Sequence, residues 1–220
     1  MGNQNRNDWI LKGKDLSFHR TTLLILMLNT SLKRFERSNF MQLIEAVNKD
    51  EAEGPVKESL EAIEGEMGFV PNGMAVAANS PASLKMMFAM DEALGQGELN
   101  FTQREMIALA VSQANNCRYC LSAHSEFCSM ATDLEPTDII RARLCEADDP
   151  KDQSMLDLAV AIVENRGELP ENQLANARDN GLSDSIIIEV ISNVISAMYG
   201  NYINHVAKTD IDWPLCRMDL

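Results

Sequence analysis

Aromatic residues are scarce in this 220-residue chain. Phe, Trp and Tyr together make up 5% of the residues, whereas the chain has 13 Met. No long segment alternates apolar and polar residues in the way a half-buried strand does. Strands favour aromatic and β-branched residues, whereas Met, Leu and Ala favour helices. The composition therefore disfavours a β-sandwich and predicts an all-α protein with a helical core.

Positive charge is also in short supply. The chain has 19 Lys and Arg against 33 Asp and Glu, which gives a net charge of −14. Residues 1–40 hold seven basic and three acidic residues, a net of +4, so residues 41–220 carry −18. A body this acidic repels phosphate backbones and anionic lipids. The charge argues against nucleic acid or a membrane as a partner.

Long hydrophobic runs are absent from the N-terminal region. Its one sizeable apolar block, Leu23 to Leu28, is far shorter than the ~20 residues that a membrane span needs. No small-x-small cleavage site follows within Thr30 to Phe40, so a cytoplasmic location is expected. Residues 1–40 differ in composition from the rest. Three interpretations remain, namely a flexible extension, a short docking helix, or sequence upstream of a start at Met41, and we favour the first and third.

The chain has five cysteines, which is a small and odd number. Three of the five lie within twelve residues, and this pattern does not match a secreted disulfide framework. We interpret Cys128 as a buried small hydrophobe, and Cys145 and Cys216 as inert thiols. The remaining two, Cys117 and Cys120, form a Cys-x-x-Cys pair.

Helical periodicity begins after Glu51. An apolar stripe at i, i+4, i+7 and i+11 ends at Gly68 and is formed by Val56, Leu60, Ile63 and Met67. Residues 69–73 are predicted to form a turn. Ser80 and Pro81 match an N-cap and first helical position of a helix to Leu94. Later helices are predicted over 137–145, 153–165, 171–180 and 183–207.

A helical hairpin is predicted at the centre of the domain, over 102–130. Thr102 and Glu105 have the spacing of a capping box. Asn115 and Asn116 break this first helix and offer an N-cap for a second one that starts at Cys117. The domain is thus expected to be a helical bundle built around the hairpin.

The hairpin carries the candidate site. At ~100° per residue, Cys117, Cys120 and His124 lie on one helical face. The first turn of the helix favours a thiolate at Cys117. From the rise per residue, Glu105 lies about 16 Å and His124 about 13 Å from the turn. The two are nearly level, which suggests a proton path from Glu105 through His124 to Cys120.

The spacing Glu-x11-Cys-x-x-Cys-x-x-x-His resembles that of the alkyl hydroperoxidase D-like group within the carboxymuconolactone decarboxylase superfamily. Residues 68–72 with 79–81 resemble its N-terminal region. Residues 201–205 with Asp210, Asp212, Trp213 and Pro214 resemble the C-terminal helix and tail of its peroxidase-related branch. The resemblance covers roughly 41–214 and supports a domain at 41–220, with residues 1–40 outside it.

The resemblance implies a peroxidase-like, antioxidant oxidoreductase with a redox-active disulfide. In such an enzyme, Cys120 attacks a hydroperoxide, Cys117 closes the disulfide, and a lipoyl or thioredoxin-like dithiol protein restores both thiols. No metal, haem or flavin cofactor is expected. A homo-oligomer, commonly a trimer or hexamer in the family, is also implied.

One residue of the site departs from the family pattern. The founding peroxidases have a histidine where this chain has Tyr119. We name Tyr119 and His205 as candidates for supporting positions around the thiols.

Three other functions stay open. Cys117, Cys120 and His124 with Glu105 or His205 are a candidate zinc set, although structural zinc sites usually draw ligands from two separate clusters. A lyase or isomerase of the decarboxylase branch would keep its activity when both cysteines become serine. A non-enzymatic oligomerisation module would show ordinary thiol pKa values near 8.5.

Overall fold

A computed structural model describes residues 42–219 of the chain. The N-terminal extension expected at residues 1–40, and the domain boundary at Met41, lie outside the described residues. Every regular element within residues 42–219 is a helix, and the prediction of an all-α fold is confirmed.

The helices follow one another with short connections. In chain order they are α1 (Gly54–Met67), α2 (Asn72–Ala77), α3 (Pro81–Leu94), α4 (Phe101–Ala114), α5 (Arg118–Ala131), α6 (Pro136–Arg143), α7 (Pro150–Glu164), α8 (Glu171–Asp179) and α9 (Asp184–Ala207).

The N-terminal helices largely follow the local signals. The apolar stripe of α1 buries Leu60 and Ile63, and Gly68 ends the helix with φ 81°, a left-handed angle that glycine adopts without strain. Ser80 accepts a hydrogen bond from the backbone of Ser83 ahead of α3. The turn predicted over 69–73 is wrong in its second half. Pro71 is the N-cap of α2, which begins at Asn72.

The N-terminus of α4 differs from the predicted capping box. Asn100 accepts from the backbone of Gln103 at 2.9 Å, and the Gln103 side chain accepts from the Asn100 backbone at 3.1 Å. The box therefore lies two residues before Thr102 and Glu105. Because Asn is a stronger N-cap than Thr, the earlier box is formed. This frees the Glu105 carboxylate from a capping role.

The hairpin between α4 and α5 turns at Asn115 and Asn116, as predicted. Asn116 has φ 57°, an angle that asparagine tolerates better than most residues. The new helix begins at Arg118, one residue later than predicted, because Cys117 itself is the N-cap.

The core forms around α4. The helix is buried continuously from Glu105 to Ser112 and packs against α5, α6, α7 and α9. A second apolar cluster joins α1 to α2 and α3. The described residues include one helix, α9, that is long and apolar enough to cross a membrane, and a third of its apolar window is buried inside the fold. Helix α5 packs against the main core through Leu121 and Cys128, and its first turn packs against Trp213 of the segment that follows α9.

Candidate active site

The hairpin brings Glu105 and His124 together. Nδ1 of His124 lies 2.8 Å from Oε2 of Glu105, across the two antiparallel helices. The Glu105 carboxylate is largely buried, and the His124 side chain is a quarter exposed. The carboxylate can therefore orient the imidazole and stabilise its protonated form.

The two cysteines occupy the first turn of α5. The Cys117 Sγ accepts a hydrogen bond from the Cys120 backbone N–H at 3.4 Å. Cys117 is fully buried, and Cys120 is 4% exposed. A side chain held by its own helix at the N-cap is restricted in the directions it can take. The thiols are thus held in a site shielded from solvent.

The thiolate belongs at Cys120 and not at Cys117. Its hydrogen bond with Cys117 lowers the pKa of Cys120, burial opposes this, and the charge of His124 lowers that pKa further. The same hydrogen bond raises the pKa of Cys117, and burial raises it again. These two directions oppose the expected thiolate at Cys117 and agree with the predicted proton path that ends at Cys120.

The charge of His124 results from opposing effects. Burial alone would lower the pKa of His124, but the charge and hydrogen bond of Glu105 and the Cys120 sulfur raise it, and the outcome is a pKa above its ordinary value. A protonated imidazole beside a thiolate is the pair that nucleophilic cysteine chemistry needs.

Asn204 on α9 completes the environment of the reactive sulfur. Its Nδ2 donates to Cys120 Sγ at 3.4 Å and to the Gly200 carbonyl at 3.0 Å. The first of these hydrogen bonds lowers the pKa of Cys120. Sequence reasoning singled out the neighbouring His205, which makes no hydrogen bond or ion pair with a site residue among residues 42–219. The separation of 84 positions between Asn204 and Cys120 left no local signal.

Tyr119 connects three parts of the chain. Its phenol oxygen accepts from the Gly73 backbone N–H at 2.7 Å and from Trp213 Nε1 at 3.2 Å. Burial and the charge of Asp212 raise the pKa of Tyr119, so the phenol stays neutral. Where the founding peroxidases have a histidine, this chain has a structural contact between α2, α5 and the C-terminal segment.

Aromatic rings form one wall of the site. Trp213 packs edge-on against Phe69 and Phe127, with ring centroids 5.1 Å apart in each pair. Phe127 meets the His124 ring at 5.9 Å. Trp213 also packs in the apolar cluster of Cys117 and Cys120. The thiols are thus covered by apolar rings, whereas the His124 imidazole at the edge of the site is partly exposed to solvent.

The other thiols differ in their surroundings. Cys128 is fully buried in the main core, and burial raises its pKa, which matches its interpretation as a small hydrophobe. Burial and the charge of Asp157 raise the pKa of Cys145 to about 12. Cys216 lies on the C-terminal segment, where its backbone N–H donates to Ser122 Oγ at 3.2 Å.

Among residues 42–219, no group of three or more His, Cys, Asp or Glu side chains is placed to hold a metal ion.

Comparison with known proteins points to one group. Residues 81–144, which contain the whole α4–α5 hairpin, match the carboxymuconolactone decarboxylase family. The chain is 37% identical over 46 residues to the uncharacterized protein YdfG of Bacillus subtilis (strain 168). That match spans 21% of this chain and 31% of YdfG.

Solved structures share the fold. The first is the alkylhydroperoxidase AhpD core of an uncharacterized peroxidase-related protein from Ralstonia eutropha JMP134, with a TM-score of 0.69, 22% identity, and coverage of 78% of this chain and 93% of that one. A peroxidase-related protein from Silicibacter sp. TM1040 has a TM-score of 0.64, 23% identity, and coverage of 80% and 94%. The debrominase Bmp8 has a TM-score of 0.66, 17% identity, and coverage of 77% and 92%.

Proposed function

We propose that this chain is a dithiol-dependent peroxidase-like oxidoreductase of the alkyl hydroperoxidase D-like group in the carboxymuconolactone decarboxylase superfamily. The observation that carries the proposal is the setting of Cys120. Its sulfur accepts a hydrogen bond from Asn204, and the charge of His124, which is paired with Glu105, lowers the thiol pKa. A stabilised thiolate with a proton donor nearby is suited to attack on a peroxide.

The first half-reaction consumes the peroxide. The Cys120 thiolate attacks one oxygen of ROOH, the O–O bond breaks, and an S–O bond forms, which leaves a sulfenic acid at Cys120. The departing alkoxide takes a proton from His124 and leaves as the alcohol. Glu105 stabilises the protonated imidazole before this transfer and orients it afterwards.

The second half-reaction forms the disulfide. The Cys117 sulfur attacks the sulfenic sulfur, the S–O bond breaks, and water leaves with the Cys117 proton. A dithiol protein of lipoyl or thioredoxin-like type then supplies two electrons and two protons and restores both thiols. All electrons come from thiols in this scheme, which runs in the cytosol without a metal, haem or flavin.

Substituting each cysteine separately tests the proposal. Cys120→Ser is expected to abolish peroxide consumption, whereas Cys117→Ser should complete one oxidation per chain and stop at the sulfenic acid. Mass spectrometry after one equivalent of cumene hydroperoxide would report both outcomes, with Cys145→Ser as the matched control. Full peroxide turnover by Cys120→Ser would contradict the assignment. An unchanged lyase or isomerase activity in the double serine variant would favour the decarboxylase branch instead.

Reductive dehalogenation is a second candidate. It is favoured by the aromatic rings of Phe127 and Trp213, which form an apolar wall beside His124 and pack next to the thiols, and the similar fold of the debrominase Bmp8 agrees with it. The dithiol would convert a C–Br bond to C–H and release bromide, a proton and the disulfide. Bromide measured by ion chromatography with a bromopyrrole would separate this activity from peroxide reduction.

The expected homo-oligomer has a candidate interface. An apolar stripe on α9, which we call the α9 stripe, is between 37% and 65% exposed and consists of Ile188, Ile191, Ile195, Tyr202 and Val206. From Val190 to Ala207 the helix has no Lys, Arg, Asp or Glu. Two copies that each carry −14 repel one another over most of their surfaces. An uncharged apolar stripe can bury itself against its own copy, which makes a second copy of this chain the expected occupant.

A further inference from the structure

A buried amide connects α9 to the end of α4. Asn201 is 1% exposed, and its Oδ1 accepts from Nδ2 of Asn115 at 2.9 Å. Its Nδ2 donates to Oγ of Ser112 at 3.1 Å, and Ser112 is fully buried. Ser112 lies in the last turn of α4, and Asn115 is the C-cap of that helix. The Asn201 side chain thus fastens α9 to the hairpin, directly before the turn that leads to Cys117.

Apolar packing alone specifies the position of α9 along the hairpin only loosely. From Val190 to Ala207 the helix has no Lys, Arg, Asp or Glu, and most of its buried residues are aliphatic. Aliphatic side chains tolerate repacking, whereas a buried polar group that loses its partners is costly. A single buried Asn fixes the register of packed helices in this way in coiled coils. The two hydrogen bonds of Asn201 therefore select one register of α9 on α4.

The same register decides where the Asn204 amide lies. Asn204 comes three residues after Asn201, so the two side chains are neighbours on one helical face. Nδ2 of Asn204 donates to the Gly200 carbonyl of its own helix, which fixes the direction of the amide relative to α9. Among residues 42–219, its buried Oδ1 has no hydrogen-bond partner. The distance of 3.4 Å from Nδ2 to the Cys120 sulfur therefore depends on how α9 lies on the hairpin.

We propose that Asn201 is a positioning residue, which holds α9 so that the Asn204 amide meets the sulfur of Cys120. This role rests on the proposed dithiol chemistry and adds the contact that keeps the reactive sulfur hydrogen-bonded. The thiolate benefits from that contact, because the hydrogen bond from Asn204 lowers the pKa of Cys120. Asn201 also lowers this pKa directly, with a smaller effect than Asn204. Positioning and direct action therefore have to be separated by experiment.

Asn115→Ala separates them, because it removes an anchor of α9 and leaves both α9 amides in place. Among residues 42–219, Asn115 makes no hydrogen bond with Cys120 or Asn204. We expect Asn115→Ala and Asn201→Ala each to raise the pKa of Cys120 by roughly half a pH unit or more, since a hydrogen bond to a charged group is weakened. Thiolate ultraviolet absorbance against pH measures the pKa, after subtraction of the same variant with Cys120→Ser.

Asn193→Ala is the matched control. Asn193 is also a buried Asn of α9, at 7% exposure, but its side chain donates to the Glu189 carbonyl of the same helix. Its loss is expected to lower the thermal stability and to leave the pKa of Cys120 unchanged. A purely structural role of Asn201 would give the same result in Asn201→Ala and would overturn the inference.

A double-mutant cycle with Asn204→Ala completes the test. Without the Asn204 amide there is nothing left to position, so adding Asn115→Ala should leave the pKa of Cys120 unchanged. Adding Asn201→Ala should retain less than half of its effect. An equal rise with and without Asn204, or no rise in Asn115→Ala, would overturn the inference. If Asn201→Ala fails to fold, the Asn115→Ala cycle decides alone. The titration uses no peroxide, so its outcome is independent of the cysteine variants that test the proposed function.

Discussion

Nδ1 of His124 and Oε2 of Glu105 lie 2.8 Å apart across the α4–α5 hairpin, and this pair links the acid–base chemistry of the site to the stability of the fold. The raised pKa of His124 means that the folded state holds the imidazole proton more tightly than the unfolded chain does. This stability is fully present below the unfolded pKa of about 6.5 and is lost as the pH rises through the folded pKa.

Glu105→Gln should therefore destabilise the protein in a pH-dependent manner. The amide keeps a hydrogen bond to neutral imidazole but loses the charge that favours the proton. We expect a loss of roughly 1–2 kcal/mol at about pH 5.5 and much less at about pH 8.5. Urea unfolding at both values measures the difference. The chain has three His, so comparison with the His124→Asn variant identifies the His124 resonance in an NMR titration. The pKa of His124 should be lower in Glu105→Gln than in the unchanged protein. An unchanged pKa would contradict the pairing.

Asn204 should control the reactivity of Cys120. Removing its amide takes away a hydrogen bond that stabilises the thiolate, so Asn204→Ala is expected to raise the thiol pKa from about 7. The pH dependence of the thiolate ultraviolet absorbance measures the shift. His205→Ala is the matched control on the same turn of α9, and it should leave the titration unchanged. A shift in the His205 variant alone would restore His205 as the supporting residue.

Local sequence signals predicted much of the helical fold. The stripe ending at Gly68 and the Ser80–Pro81 start depend on neighbours in sequence, and they specify α1 and α3. At the start of α4, two overlapping capping boxes compete, and the stronger N-cap preference of Asn100 selects the earlier box, a signal that the prediction at Thr102 did not weigh. The pairing of Glu105 with His124 followed from the rise of two helices joined by a short turn.

Contacts between distant segments were beyond sequence reasoning. Asn204 meets Cys120 across 84 positions, and Gly73 meets Tyr119 across 46. No helical period relates such residues, because tertiary packing decides which helix faces the thiols. The expectation of a thiolate at Cys117 considered only the helix N-terminus, whereas the neighbouring Cys120 and burial raise the pKa of Cys117.

Gly73 should be intolerant of a side chain. A Cβ there would lie 2.9 Å from a Tyr119 ring carbon and 3.1 Å from Asn204 Oδ1, so both groups would have to move. Gly73→Ala is expected to cost about 1–3 kcal/mol and to raise the Cys120 pKa by displacing Asn204. Gly65 in α1 has no neighbour within 4 Å of its added Cβ. Gly65→Ala should therefore stabilise the protein by about 0.5–1 kcal/mol, since Ala is the better helix former.

Thermal unfolding and thiol titration of both alanine variants separate the two effects. Opposite signs of the stability change are expected, with a shifted thiol titration in the Gly73 variant only. If Gly73→Ala matched Gly65→Ala in both measurements, the close packing of α2 on Tyr119 would be refuted.

The α9 stripe should govern self-association. Ile195 is 53% exposed near the middle of the stripe, and a charge placed there would be buried unpaired in an interface of two copies. Ile195→Lys is thus expected to weaken the proposed oligomer at least roughly tenfold, since burying an unpaired charge costs several kcal/mol. Ile140→Lys is the matched control because Ile140 is 40% exposed on α6, outside the stripe. Sedimentation velocity over a range of concentrations measures both variants. Retention of the oligomer by Ile195→Lys, or its loss in Ile140→Lys, would place the interface elsewhere on the surface.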